Sequence, residues 1–491
     1  MKYLKNIITV VTLFLSTLGF AQENIFLNRD FWKSNPTIAT VEAKIQEGND
    51  ITEANGNNFD AVVYAILQDA PVATIKYMQS KEGNDANKLT HDGRTYIFWA
   101  AYKGNIEVME YLLSKGAKTD ITDDKGNTIL NFAAGSGQQN TKVYDLCIAN
   151  GANVKTDVTP KGANALLLAA PYDKDFALIN YFTSKGASIN SVDADGNGVF
   201  NYVAKTGNVD LLNQLLKKGV KGNDNAFMFA AAGTRGNTNT IDLYKYLESV
   251  GLNPEKASIK NETPLHILAA RSKDLELVSY FLDKGNVNAI DENGNTPFIN
   301  AASRNNLETV SLLFKQVKDV NQVNKKGESA LALAVANNSL EVVRFLIENK
   351  ADVTILDANK NNLTPYLIAS FSTKKSDVFE QKLGVLAKNG LDFTKTQENG
   401  NTLFHLALAK NDIDILKFIA PFKIDVNAKN NEGNTALHLA ALQAKDTEIL
   451  KYLLSIGAKK DATTDFDETP FDLASENEIL KAQKINLDFL K

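Results

Sequence analysis

Residues 432–461 read EGNTALHLAALQAKDTEILKYLLSIGAKKD and contain one complete copy of a pattern that recurs along the chain. Thr435 is a preferred residue for a helix N-cap, and the apolar residues after it predict a short first helix. Four aliphatic residues at helical spacing then predict a second helix, Ile449, Leu450, Leu453 and Leu454. Gly457 ends it, because a left-handed terminal residue is least strained when it is Gly. Such a helix pair cannot bury its apolar side alone and requires a copy of itself beside it.

The copies can be aligned on the residue that takes the place of Thr435. These anchor residues are Asp60, Thr95, Thr128, Asn164, Gly198, Asn225, Thr263, Thr296, Ser329, Thr364, Thr402, Thr435 and Thr469. Several steps are 33 residues, the others are 34–38, and the step from Gly198 to Asn225 is 27. A period of this length is typical of a solenoid, in which each unit packs on its neighbours.

Five units carry the most regular anchor motifs. They are Thr263-Pro264-Leu265-His266, Thr296-Pro297-Phe298, Thr364-Pro365-Tyr366, Thr435-Ala436-Leu437-His438 and Thr469-Pro470-Phe471. With these motifs in phase over roughly residues 37–480, the chain resembles the ankyrin repeat family. The resemblance implies an all-α solenoid of helix–loop–helix units of about 33 residues with β-hairpin finger loops. About 12–13 units are expected, including degenerate caps.

The repeat divides the chain into five segments. They are a signal peptide at 1–21, a lead-in with an N-terminal capping half-repeat at 22–58, a first block of repeats at 59–222, a second block at 223–468, and a C-terminal capping repeat at 469–491. The boundary between the blocks follows the short 27-residue step. The last capping helix is predicted at 474–484.

The N-terminus has the pattern of an export signal. Lys2 and Lys5 precede an apolar run from Ile7 to Phe20 that is short for a membrane span, and a small residue, Ala21, precedes the predicted cleavage site. The alternative is an N-terminal membrane anchor. No other stretch approaches the ~18 uninterrupted apolar residues of a membrane helix. We expect an exported protein, periplasmic or, alternatively, extracellular.

Charge and cysteine content exclude some classes of function. The formal net charge is −5, so the chain has no electrostatic tendency to bind nucleic acid. Cys147 is the single Cys, which excludes an intrachain disulfide, and its position between Leu146 and Ile148 predicts a buried thiol.

The candidate metal ligands do not converge. His266, His405 and His438 occupy the same position of three units and would lie repeats apart, so we interpret each as a brace to the neighbouring turn. The segment from Asp193 to Gly198 copies the start of a calcium loop, but Ala204 stands where the loop requires Glu. No nucleophile motif is present, so we expect no catalytic residue, metal or cofactor.

The resemblance implies a non-enzymatic scaffold that acts as a monomer and binds a protein partner. In this family the contacts usually come from the finger tips and the ends of the first helices. Carried over by position, the contact residues are His91, Asp92, Arg94, Tyr102, Lys103, Asp124, Asn127, Asp195, Asn197, Lys205, Arg271, Glu292, Asn295, Arg304, Lys325, Glu398, Lys410, Glu432 and Gln443. His91, Arg94 and Tyr102 are the predicted anchor, because aromatic and Arg residues dominate binding hot spots.

Two other functions stay open. The chain could be an accessory to an envelope enzyme or transporter that carries a bound metal or cofactor. It could also be a secreted effector that binds a host protein.

Overall fold

The computed structural model describes residues 24–234 and 238–491. The predicted signal peptide, 1–21, lies outside these residues. The chain forms two compact units, unit 1 ending at Val199 and unit 2 beginning at Phe200. The regular elements of the described residues are helices, and the loops that join them contain isolated β-bridges.

The helices come in consecutive pairs, as the repeat predicts. Unit 1 contains α1 (Arg29–Lys33), α2 (Ile38–Gln46), α3 (Ala61–Leu67), α4 (Val72–Gln79), α5 (Tyr96–Lys103), α6 (Ile106–Ser114), α7 (Ile129–Gly135), α8 (Thr141–Ala149), α9 (Ala165–Ala169) and α10 (Ala177–Ser184). Helix α11 (Val199–Ala204) starts at the last residue of this unit.

Unit 2 continues the alternation to the C-terminus. Its helices are α12 (Val209–Lys217), α13 (Ala226–Ala232), α14 (Ile241–Ser249), α15 (Pro264–Arg271), α16 (Leu275–Lys284), α17 (Pro297–Arg304), α18 (Leu307–Phe314), α19 (Ala330–Asn337), α20 (Leu340–Glu348), α21 (Thr364–Ala369), α22 (Ser376–Lys388), α23 (Leu403–Leu408), α24 (Ile413–Ile419), α25 (Ala436–Gln443), α26 (Glu448–Ser455), α27 (Pro470–Glu476) and α28 (Glu478–Ala482).

The first helix of each pair, here called the inner helix, packs on the inner helices of the neighbouring pairs. In unit 1 the series is α3, α5, α7 and α9, and in unit 2 it runs from α13 through every odd-numbered helix to α27. Paired alanines such as Ala301 and Ala302 are fully buried in these contacts. Because their side chains are small, the inner helices approach closely, while the second or outer helices bury larger residues such as Leu313.

The fingers, the tight loops that precede the inner helices, form a backbone ladder. In unit 2 the N–H of Lys325 donates to the carbonyl of Asn293 at 2.9 Å, and the N–H of Ala358 donates to the carbonyl of Lys326 at 2.8 Å. Gly327 has a φ of 74°, and a Cβ at this position would lie 2.5 Å from the backbone nitrogen of Ala358. The finger therefore requires Gly both for its turn and for its contact with the next finger.

Three histidines connect units in the way that the sequence analysis predicted. The Nδ1 atom of His438 accepts the backbone N–H of Thr435 at 3.1 Å, so its proton resides on Nε2. Nε2 lies 3.1 Å from the carbonyl oxygen of Ala462 and 3.2 Å from that of Glu468, in the next finger. His266 and His405 repeat this arrangement, which confirms that all three brace the stack.

The C-terminal cap differs from its prediction as one helix at 474–484. The structure has two helices, α27 and α28, separated at Asn477. The Oδ1 atom of Asn477 accepts the N–H of Ile479 at 2.9 Å and caps α28. Its Nδ2 donates to the carbonyl of Ala444 at 3.0 Å. This tertiary bond favours the break that periodicity alone did not indicate.

None of the helices in the described residues is both long and apolar enough to cross a membrane. Cys147 is buried, and burial raises the pKa of its thiol to about 12. The proposed boundary between repeat blocks at 222 and 223 stays a prediction.

Candidate functional site

Unit 2 contains a concave groove with a volume of about 790 Å³. Its walls come from the inner helices α15, α17 and α19 and from the fingers that precede them. Four residues that the sequence predicted as partner contacts line it together, Arg271, Asn295, Arg304 and Lys325. The 33-residue step from Arg271 to Arg304 places these two side by side, because equivalent positions of successive units are adjacent. Asn295 and Lys325 lie on the fingers that precede α17 and α19.

Two arginines mark the same position of adjacent units. Arg271 is the last residue of α15 and Arg304 is the last residue of α17, and both are exposed. Lys325 is exposed on the following finger. Cationic side chains thus come from three successive units to one surface.

The cations of the groove have no carboxylate in an ion pair with them among the residues that the structure describes. Arg271 donates to the backbone carbonyls of Ala232 and Thr234, which hold it in place without a carboxylate. Within residues 24–234 and 238–491, neither Arg304 nor Lys325 forms an ion pair. A carboxylate entering the groove would therefore meet cations that have no competing internal partner.

Asn295, by contrast, belongs to the framework of the fingers. It is half-buried, and its backbone N–H donates to the carboxylate of Asp291 at 2.9 Å. Its side-chain oxygen accepts from Asn324 at 2.9 Å. This chain of bonds joins two fingers, so Asn295 fixes the shape of the wall.

The predicted anchor in unit 1 is organised differently. Arg94 is only 6% exposed, and its Nε and Nη2 donate to one carboxylate oxygen of Asp123 at 3.0 and 2.8 Å. Its guanidinium also lies 4.2 Å from the ring centroid of Phe132. Arg94 is thus a buried brace between two fingers, and it is not available as an exposed contact.

Several aromatic side chains lie around Arg94. The ring of His91 stacks on Phe59, with centroids 4.4 Å apart, and its Nδ1 lies 2.8 Å from the carbonyl of Asn57. Tyr102 is 42% exposed and its ring lies 6.1 Å from that of Phe132. Of the three predicted anchor residues, Tyr102 is the one that presents a large surface to solvent.

A family model for ankyrin repeats, in three copies, matches residues 34–123, 62–158, 227–324, 300–381 and 368–464. These segments cover most of the chain. The chain belongs to the ankyrin repeat family. Its all-α fold is the ankyrin solenoid, and such a repeat array is a scaffold for protein–protein interaction.

Similar ankyrin segments occur in proteins of varied kinds. The chain is 32% identical over 102 residues to alpha-latrotoxin-Lg1a of Latrodectus geometricus, which covers 20% of this chain and 7% of the toxin. It is 24% identical over 257 residues to the palmitoyltransferase AKR1 of Lachancea kluyveri, covering 50% of this chain and 33% of that enzyme. The chain spans a third or less of the length of both relatives.

A solved structure also resembles part of the chain. The ankyrin repeat domain of human ASB11 is 20% identical, with a TM-score of 0.39, and the match covers 46% of this chain and 97% of that one.

The remaining predicted contacts differ in exposure. Those exposed to solvent are Asp124, Asp195, Glu292, Glu398, Glu432 and Gln443, and those half-buried are Asp92, Lys103, Asn127, Lys205 and Lys410. Asn197 is fully buried, and its amide donates to Asp193 at 3.1 Å. Lys103 pairs with Asp69 at 2.6 Å. Position in the ankyrin unit predicts which residues lie near a surface. It does not predict which of them already form hydrogen bonds or ion pairs within the protein.

The predicted contact set omits most of the residues that line the groove, among them two at positions that the sequence could have indicated. Lys326 and Asn337 line the groove, at the finger before α19 and at the end of α19. The consecutive lysines at 325 and 326 would have indicated the first, and the 33-residue step from Arg304 the second.

No cluster of three or more His, Cys, Asp or Glu suited to a metal ion occurs in the described part of the chain. In the calcium-like segment, the Oδ1 of Asp193 accepts the backbone N–H of Asp195 at 3.0 Å and that of Asn197 at 2.9 Å. This carboxylate therefore holds its own finger together, as Asp291 does in unit 2.

Proposed function

We propose that this ankyrin protein is a non-catalytic scaffold that binds a protein partner through the concave groove of unit 2. The observation that supports it is the gathering of Arg271, Arg304 and Lys325 in one groove, where none of the three forms an ion pair with a carboxylate of the described residues. Exposed residues of the predicted set outside the groove, such as Glu432 and Gln443, would extend the contact along the same unit.

The rigidity of the fingers favours binding. Backbone bonds tie successive fingers together, and Asn324 joins the side chain of Asn295 across two of them. A surface that is already ordered loses little conformational entropy when a partner binds, so moderate contacts can give useful affinity.

We further propose that the protein is exported, works in the periplasm or outside the cell, and acts as a monomer. The support is the N-terminal pattern of Lys2, Lys5 and the apolar run that follows. N-terminal sequencing of the native protein tests the export proposal, and we expect a mature chain that starts at Gln22. A chain that starts at residue 1 or 2 would overturn it.

Site-specific photo-crosslinking tests the binding proposal. A benzophenone amino acid at Arg304, in the groove, is compared with one at Arg344, which is exposed on the outer helix α20. With extract of the native cell envelope, we expect a defined protein adduct from position 304 and none from position 344. The same adducts from both positions, or none from either, would contradict the proposal.

A further inference from the structure

We propose that the groove of unit 2 selects an extended, acidic segment of a partner protein. This inference rests on the proposed function and adds the chemistry of the ligand. Its central feature is an excess of unpaired positive charge in a chain whose formal net charge is −5.

Four cationic side chains line the groove, Arg271, Arg304, Lys325 and Lys326. All four are exposed, and in the described residues none is paired with a carboxylate. Arg271 is positioned by two backbone carbonyls, which leaves its charge without compensation. Arginine binds carboxylates through a planar pair of donors, so these positions favour Asp and Glu side chains of a ligand.

Three acidic residues also line the groove, but they are withdrawn from its surface or half-buried. Asp291 is buried, and one of its carboxylate oxygens accepts two backbone N–H groups of its own finger. Glu328 is half-buried and accepts from Asn324 at 2.8 Å. Glu262 is half-buried as well. The charged side chains of the groove that are most exposed are therefore the four cations.

A fifth cation reinforces this field. Lys205 is half-buried, and its pKa is lowered by burial and then by the positive charge of Arg271. The positive charges of Lys205 and Arg271 therefore repel each other. An acidic ligand would relieve that repulsion.

The repeat also predicts the spacing of the acidic residues. Adjacent packed helices lie about 8–10 Å apart, and Arg271 and Arg304 end adjacent inner helices. An extended peptide rises about 3.3 Å per residue. Carboxylates separated by about three residues would therefore meet successive cations.

The surface between the cations suits a polypeptide. Ile267 and Leu333 are half-buried and contribute apolar surface. The Nδ2 atoms of Asn300 and Asn337 donate to the carbonyl of His266 at 3.3 Å and to the Oγ of Ser303 at 3.4 Å, and their amide oxygens can accept from a peptide N–H. Apolar surface and amides next to cations favour a protein segment over a ligand bound by charge alone.

Fluorescence anisotropy with the full-length protein tests the inference. The probe is a labelled peptide, Glu-Val-Ser-Glu-Val-Ser-Glu, and its comparison peptide has Gln in place of each Glu. We expect the acidic peptide to bind at least tenfold more tightly, and its affinity to fall as salt rises. Equal binding of the two peptides would overturn the proposal.

Matched variants locate the site. We expect Arg304→Gln to weaken binding of the acidic peptide about fivefold, and Arg271→Gln with Arg304→Gln to weaken it further. Arg344→Gln removes the same charge from the outer helix α20 and should change the affinity less than twofold. An equal effect of Arg304→Gln and Arg344→Gln would mean that binding follows net charge, and the groove would have no role.

Two further measurements separate this inference from the proposed function. Binding of the same variants to vesicles with anionic lipid and to a sulfated polysaccharide is also measured. If either binds more tightly than the acidic peptide and this binding depends on Arg304, the assignment to a protein segment would be overturned. If the crosslinked partner at position 304 binds equally well after Arg304→Gln, the scaffold function stands and the acidic specificity fails. If no crosslink forms at position 304, the proposed scaffold function is contradicted, whatever the result with the acidic peptide.

Discussion

Unit 1 and unit 2 place an arginine beside an inner helix with opposite results. Arg94 in unit 1 is buried against Asp123 and Phe132, whereas Arg304 in unit 2 is exposed in a groove. The difference arises from the neighbouring finger, because Asp123 pairs with Arg94, whereas no carboxylate of the described residues forms an ion pair with Arg304. The same residue type is a brace in one unit and a candidate binding group in the other.

The largest effect is expected from removing the ion pair between Arg94 and Asp123. Arg94→Gln leaves the carboxylate of Asp123, which has no exposed surface, without its ion pair, so we expect unit 1 to lose about 3 kcal/mol of unfolding free energy. Arg304→Gln should change the stability of unit 2 by less than about 0.5 kcal/mol, because its side chain is exposed. Urea titration followed by hydrogen exchange, which reports on each unit separately, measures both. Similar losses in the two variants would contradict the contrast.

A buried lysine gives unit 2 a pH dependence of similar size. Lys382 is 3% exposed, donates to the carbonyl of Val335 at 2.8 Å, and has its pKa lowered by burial to about 8. Between pH 8 and about 10.5 the folded state holds fewer protons than the unfolded state, so stability should rise by about 3 kcal/mol. Lys382→Met should be more stable than wild type at pH 7.

The pH series supplies the control for this prediction. The advantage of Lys382→Met should diminish as the pH rises from 8 to 10, since other lysines and tyrosines titrate equally in both proteins. A constant difference between the two proteins across this range would show that burial of the charge does not limit the stability of unit 2.

Acidification should affect unit 2 through its buried histidines. Burial lowers the pKa of His266, His405 and His438, so their contribution to stability is present at neutral pH and is lost as the pH falls below about 6.5. Gln at these positions keeps a capping side chain without titrating. We expect the triple Gln variant to lose most of the acid sensitivity of hydrogen exchange in unit 2.

Unit 1 is the internal control for that experiment. Its single histidine is His91, which is half-buried in a finger. The histidine braces would not be the source of the acid sensitivity if the triple variant were as sensitive as wild type. The same conclusion would follow if hydrogen-exchange protection in unit 1 changed in the triple variant.

A small effect on stability is expected for Tyr102. Because it is 42% exposed, Tyr102→Ala should lower the unfolding free energy by less than about 1 kcal/mol. It should nevertheless weaken binding of a partner that reaches unit 1, and Tyr102→Phe, which keeps the ring, should restore most of the affinity. Unchanged affinity of Tyr102→Ala in a pull-down titration would confine the binding surface to unit 2.

Much of the fold could be predicted because it is repetitive. The anchors from Asp60 to Thr469 located the inner helices, and the Thr–His pairs indicated the braces that the structure shows. The site was predicted in outline, since Arg271, Arg304 and Lys325 meet in one groove. The break between α27 and α28 at Asn477 could not be predicted, because the side chain of Asn477 donates to a carbonyl 33 residues away.

The amino-acid sequence was sufficient for the period, the helix pairs and the family, because these follow from local helix signals that recur in phase. The tertiary structure alone decided which charged side chains are available to a partner. Arg94 and Asp123 are 29 residues apart, and no local pattern shows that their side chains meet. Packing brings them together, whereas Arg304 forms no ion pair with the described residues and stays exposed in the groove.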